Sequence, residues 1–236
     1  MASWQAKIDA AVQRFVPSTR TWTNVGDFVT FTESGFVDAE SPSALLARHN
    51  YEIAEVRGSL TGRYLRSLEI GCGFGRLSPH FAAASSSHIP IDINFAALRM
   101  ARSSYPQYSV ARASATELPF ADSSFDLVTT WTVLQHIRPD RILGAMAEIE
   151  RVAAEGATLL LCEESAQASL SQPDKWHTHT WHRRPEFYRD QLPNFELITA
   201  GEIEGLAQIG MPSPGTVMLL RRRPAPAPRL SLSEME

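Results

Sequence analysis

In Leu68-Glu69-Ile70-Gly71-Cys72-Gly73-Phe74-Gly75-Arg76 a short apolar strand runs straight into three alternate glycines. Glycine tolerates the left-handed backbone of a tight turn and lets a ligand approach the main chain, so this elbow is a candidate cradle at the carboxyl end of a strand. It departs from the dinucleotide fingerprint G-x-G-x-x-G, because Arg76 stands where the third glycine falls. Twenty-one residues past Gly71, the run Ile89-Pro90-Ile91-Asp92-Ile93 ends an apolar strand in an acid. A carboxylate in that place accepts both hydroxyls of a ribose; standing alone, the same Asp serves as a cap for the next helix.

Around this pair the texture is one of short apolar runs alternating with helical stretches. Strands are expected at Tyr64–Ile70, His88–Ile93, Tyr108–Ala111, Phe125–Thr130, Ala157–Cys162, Glu196–Ala200 and Thr216–Leu220. Helices are expected at Leu77–Ala84, Phe95–Ser103, Arg138–Ala154 and Pro185–Leu192. Such alternation predicts an α/β fold, a mostly parallel sheet with helices on both faces. The last two strands have no clear helix between them, which fits an antiparallel strand at the sheet edge. Upstream, Trp4, Ile8, Val12 and Phe15 mark one helix face that Pro17 ends. Ser41 and Pro42 open a second helix with Leu45, Leu46, Ile53 and Val56 on its apolar face and Gly58 as its stop. Residues 1–63 therefore read as a helical lead-in, and 64–223 as the main domain. Residues 224–236, within and after the run RRRPAPAPR at Arg221–Arg229, read as a flexible tail.

Composition narrows the function. The 236 residues are 44% apolar and 20% charged, a globular balance. No apolar run reaches the roughly 18–20 residues of a membrane span, and Met1–Phe15 is too polar for a signal peptide. Cys72 and Cys162 make no disulfide framework and no C-x-x-C pair. A net charge of −4 argues against a protein that coats nucleic acid. The expectation is a cytoplasmic enzyme with no nucleic-acid or membrane partner, its oligomeric state open, with the N-terminal helices as a candidate dimer interface.

Further pieces fall in order. Glu117-Leu118-Pro119-Phe120-Ala121-Asp122-Ser123-Ser124-Phe125-Asp126 reads as loop, turn and buried strand, continuing into Thr130-Trp131-Thr132-Val133. Glu150-Arg151-Val152-Ala153-Ala154-Glu155-Gly156-Ala157 ends a helix and opens a strand. With the glycine elbow and Asp92, this set resembles class I S-adenosylmethionine-dependent methyltransferases, in particular the type 11 group, over about Leu68–Glu163. The resemblance implies a Rossmann-like sheet of seven strands in the order 3-2-1-4-5-7-6 and S-adenosyl-L-methionine as cofactor. It also implies roles. Glu69 lies near the methionine amino group or at the bed of the cofactor, and Gly71, Cys72, Gly73 and Gly75 form the turn on which the cofactor lies. Asp92 holds the ribose and Ile93 packs on adenine. Ser114 and Ala115 stand at the adenine edge, where the family commonly has Asp-Ala. Thr130 and Trp131 lie beside the methionine and its methyl.

Methyl transfer from a sulfonium is an in-line displacement, so the protein chiefly positions the acceptor and takes its proton where one is lost. His136, just past the fourth strand, is the first candidate base, with helix capping as its alternative role; Gln135 beside it is a candidate for orienting the acceptor. The segment Lys175-Trp176-His177-Thr178-His179-Thr180-Trp181-His182-Arg183-Arg184 holds three of the seven histidines and two tryptophans. It falls in an insertion of about 165–192, where Trp176, His177, Trp181 and His182 are candidates for acceptor binding and His179 for a second base. The same segment with Glu163 or Glu164 offers a divalent-metal alternative, although the chemistry requires no metal; a surface loop that merely packs its tryptophans is the other. The resemblance also implies a lid formed by the N-terminal lead-in, with Arg48, His49 and Tyr51 as candidates to reach over the cofactor; an ordinary solvated helix face is the alternative. A small-molecule acceptor is expected. The alternatives are an RNA or protein methyltransferase, a protein that binds the sulfonium without transferring its methyl, and a nicotinamide-dependent reductase, which Arg76 disfavours.

Overall fold

The computed structural model describes residues 42–165, 170–173, 179–206 and 215–224. The first helix expected from sequence, Trp176, His177 and the tail beyond residue 224 lie outside them, as does the side chain of His179.

Chain order begins with α1 (Pro42–Ser59), β1 (Tyr64–Ile70), α2 (Ser78–Ala83), β2 (Ser85–Asp92), α3 (Phe95–Ser104), β3 (Ala111–Arg112) and β4 (Phe125–Trp131). A 3-10 turn at Leu134–His136 follows, then α4 (Ile142–Val152), β5 (Ala153–Glu164), β6 (Leu170–Pro173) and β7 (His179–His182). The chain continues through α5 (Pro185–Asp190), β8 (Phe195–Glu202) and β9 (Gly215–Arg222). Seven strands form one sheet in the order β3-β2-β1-β4-β5-β9-β8, while β6 and β7 pair only with each other. Leaving out that separate hairpin, the order is the expected 3-2-1-4-5-7-6. No helix among the described residues is long and apolar enough to cross a membrane.

Strand parity separates the two faces of the sheet. Leu159 and Leu161 of β5 join Leu68, Ile70 and Val128 in a core that also holds Ile142, Met146 and Ile149 of α4 and Tyr188 of α5. Their alternates Leu160 and Cys162 pack with Leu127, Phe81 of α2 and Val56 of α1. Helices thus cover both faces, as a parallel sheet buried on each side requires.

Three expectations are corrected. The antiparallel strand is not at the edge: β9 is antiparallel to both β5 and β8, so it lies one place inside and the edge strand β8 runs with the majority. The third strand is displaced from Tyr108–Ala111 to Ala111–Arg112, because Tyr108 is used instead as a ring packed edge-on against His88 at 5.6 Å. Helix α4 starts at Ile142 rather than Arg138. Pro139 disfavours helical backbone at the residue before it, so Arg138–Arg141 forms a turn.

Candidate functional site

The elbow after β1 is built as its glycines demand. Gly71 and Gly73 have φ of 76° and 55°, in the left-handed region. A Cβ on Gly71 would lie 2.2 Å from Val133 Cγ2, so a side chain is excluded there by space as well as by backbone. Gly71 and Cys72 donate their N–H groups to Ile91 O at 2.8 and 2.9 Å, tying the elbow to β2. Asp92 completes the tie: its Oδ2 accepts from Gly73 N at 2.8 Å and its Oδ1 from Asn94 N at 2.7 Å. Burial raises the Asp92 carboxyl above its ordinary range, while the two N–H groups pull the other way. The acid therefore fixes the turn as well as facing the ligand space.

A cavity of about 510 Å³ opens at the carboxyl ends of the central strands. Glu69, Gly71, Cys72, Asp92, Ile93, Ser114, Ala115, Trp131 and His136 line it, nine of the residues singled out from sequence. Ile93 is 61% exposed, an apolar side chain offered to the cavity rather than to the core. Ser114 Oγ accepts from Thr116 N at 3.2 Å and shares a 2.9 Å contact with Thr116 Oγ1. The remaining expected residues stand elsewhere. Gly73 and Gly75 shape the turn without lining the cavity. Thr130 is fully buried and donates its hydroxyl to Glu163 Oε1 at 2.9 Å. Gln135 is 1% exposed, and its Oε1 accepts from Glu164 N at 2.7 Å. Both side chains support the wall from behind. His182 Nε2 lies 3.6 Å from Glu164 Oε2, and Trp181 is half-buried on the hairpin. No group of three potential metal ligands gathers among the described residues.

Three features were not foreseen. A buried ion triad joins α1 to the elbow: Glu52 of α1 pairs with Arg48 one turn earlier at 2.6 Å and with Arg76. Burial pushes the Glu52 carboxyl up, but Arg48 and Arg76 outweigh it and hold it at about 2. Both arginines line the cavity, so the departure at position 76 is where α1 attaches. Neighbouring His49 is held down to about 4, by burial first and then by Arg76. The signal was present in part, since Arg48 and Glu52 have the four-residue spacing of a helical ion pair. The second feature is the turn bearing His136, which is clamped at both ends. Glu163 Oε2 accepts from Gln135 N at 3.1 Å, while Arg183 donates to Leu134 O at 2.8 Å and Ile137 O at 2.6 Å. The third is Thr132, at the mouth of β4 with φ 55°, an uncommon place for a β-branched residue. Its N–H donates to Cys162 O at 2.6 Å, and it lines the cavity.

Residues 68–161 match the profile of a methyltransferase-domain family, type 11. A demethylmenaquinone methyltransferase of Streptomyces avermitilis is 31% identical over 98 residues, 42% of this chain and 42% of that one. An O-methyltransferase of Aspergillus nomiae is 32% identical over 130 residues, 52% of this chain and 56% of the other. The chain thus spans about half the length of the curated relatives it matches. Among solved structures, the 1,6-didemethyltoxoflavin-N1-methyltransferase of Burkholderia thailandensis, with its substrate and S-adenosylhomocysteine bound, is similar at a TM-score of 0.64 and 14% identity. That likeness covers 95% of this chain and 92% of the other, and it establishes the shared fold. The segment 68–161 belongs to the type 11 group of class I S-adenosylmethionine-dependent methyltransferase domains.

Proposed function

We propose that this protein is an S-adenosyl-L-methionine-dependent methyltransferase acting on a small-molecule acceptor. One observation carries the reading: a single cavity has the glycine elbow as its floor and Glu69 and Asp92 as its carboxylates. The residues suit that cofactor. Its volume, about 510 Å³, falls within the range of small-ligand sites. Asp92, already anchored through Gly73 and Asn94, receives the ribose hydroxyls; Ile93 offers apolar surface to adenine; Ser114 and Ala115 meet its edge. Glu69 takes the methionine amino group, and Arg48, on the cavity wall, takes its carboxylate.

Bound S-adenosyl-L-methionine supplies an electrophilic methyl on a positively charged sulfur. The chain's part is to align and to deprotonate. Trp131 and Thr132 close the wall at the end of β4, and α1, latched by Glu52, excludes water from above. His136 accepts the proton of a hydroxyl or acidic carbon as the methyl arrives, its ring oriented by the clamped turn. The hairpin β6–β7 forms the acceptor side with Trp181 and His182. Residues 1–63 serve as the lid and 64–223 as the catalytic domain.

Incubation with methyl-labelled cofactor and a metabolite extract tests this. Label should appear in a small molecule, found by mass spectrometry, and be lost in His136→Ala. Label in RNA or protein, or a bound cofactor with no transfer to anything, overturns the proposal.

A further inference from the structure

Glu69 is 4% exposed and lines the cavity, yet the side chains that hold it reach only one of its oxygens. Ser78 Oγ donates to Oε2 at 2.5 Å, and His88 Nε2 lies 3.1 Å from the same atom. Among the described residues nothing donates to Oε1. With Oε2 held from two sides and Oε1 open to the cavity, the carboxylate keeps acceptor capacity for a donor on the ligand.

The far side of His88 sets the direction of this chain. Its Nδ1 lies 2.8 Å from Ser67 Oγ, which has a second, longer contact of 3.4 Å to Ser87 O. The imidazole is 8% exposed, flanked by the rings of Tyr108 at 5.6 Å and Phe81 at 6.5 Å. If the shorter contact takes the Ser67 proton, Nδ1 is the acceptor and the single ring proton sits on Nε2, aimed at Glu69. That tautomer has a consequence. An N–H on Nε2 holds Oε2 in place and leaves Oε1 turned to the ligand space.

We propose that His88 is a positioning residue: backed by Ser67, and with Ser78 on the other side, it locks Glu69 so that Oε1 meets the amino group of the bound amino-acid moiety. The proposal rests on the cavity being an S-adenosylmethionine site. Nothing in the local sequence announces it, because His88 sits in mid-strand, four residues before Asp92, and reaches Glu69 only through the pairing of β1 with β2.

Calorimetric titration of the full chain with two probes decides it. S-adenosylhomocysteine carries the ammonium; 5′-methylthioadenosine lacks the amino-acid end altogether. His88→Leu is expected to bind the first about tenfold more weakly and the second within about twofold of wild type. His88→Gln, which returns an N–H donor near the Nε2 position, should recover most of the loss. Should His88→Leu fail to fold, Ser67→Ala is measured with the same probes, and the same split is expected. Equal weakening of both probes, or unchanged affinity for S-adenosylhomocysteine, overturns the role of His88. A wild-type protein that binds neither probe overturns the reading of the cavity itself, a separate result.

Discussion

At the scale of single residues, Glu163 carries a testable charge. It has no exposed surface, and burial pushes its carboxyl up to about 7 against the opposing N–H groups of Gln135, Leu134 and Val133 and the Thr130 hydroxyl. The unfolded carboxyl releases its proton near 4.5 and the folded one near 7. Between those values the native state holds the extra proton, so this contribution is complete at low pH and is lost as pH rises through 7. The full span is worth about 3 kcal/mol. Glu163→Gln does not titrate, so its stability relative to wild type should increase between about pH 5 and about pH 8, measured by urea unfolding. His49, held low, tilts stability the other way over nearly the same range, but it does so in both proteins and cancels. A flat difference would mean that Glu163 is ionised throughout. The contrast with Asp92 shows what sequence carries at this scale. Asp92 was legible because its position, at a strand end after a glycine elbow, is itself the signal. Glu163 and Thr130 were not, since which way a strand-end side chain turns depends on the loop folded over it.

At the scale of elements, the turn Leu134–His136 is too short to hold its own shape, and its stability comes from neighbours. Arg183 supplies one end. It is 5% exposed, caps two carbonyls, and lies 5.5 Å from the Phe187 ring centre. Removing the guanidinium leaves Ile137 O without its donor and Leu134 O with only the 3.1 Å bond from Ile137 N, a loss of about 1–3 kcal/mol. Arg183→Met should therefore speed amide exchange at Gln135, His136 and Ile137 while the central strands β1 and β4 keep their protection. Uniform loss across the sheet would show that Arg183 supports the domain rather than this turn. The central strands were readable because apolar runs of five to seven residues bounded by glycine, proline or acid leave few alternatives. The hairpin β6–β7 was not. Its strands, LSQP and HTWH, have no apolar alternation and form a pair only with each other, outside the main sheet.

At the scale of the molecule, charge and topology together discriminate between nucleotides that share a ribose. Asp92 suits the ribose of either S-adenosylmethionine or NAD. The rest of the cavity does not. A dinucleotide site sets a pyrophosphate close to the elbow and uses a third glycine to pack the following helix against the strand, whereas here Glu69 presents a second carboxylate and Arg76, in the third glycine's place, is committed to Glu52. At the elbow, Glu69 and Asp92 favour an ammonium or sulfonium over a diphosphate, while Arg48, Arg76, Arg138 and Arg141 make the rest of the wall positive and suit a carboxylate. The sheet makes this a whole-molecule property, because β1, β2 and β4 all contribute to the cavity wall and α1 is joined to that wall through Glu52. Binding should then stabilise the cooperative unit. At a concentration about one hundred times the dissociation constant the gain is about 2.7 kcal/mol, equivalent to about 5–10 °C in the melting temperature for a chain of this size. Thermal unfolding with S-adenosylhomocysteine should show that rise, and NAD at the same concentration should leave the midpoint unchanged. Glu52→Gln should shrink the rise, since α1 would no longer be held to Arg76 when the ligand is bound. An equal shift with NAD would mean that the elbow and Asp92 alone set the preference, and that Glu69 and the Arg76 latch contribute nothing to it.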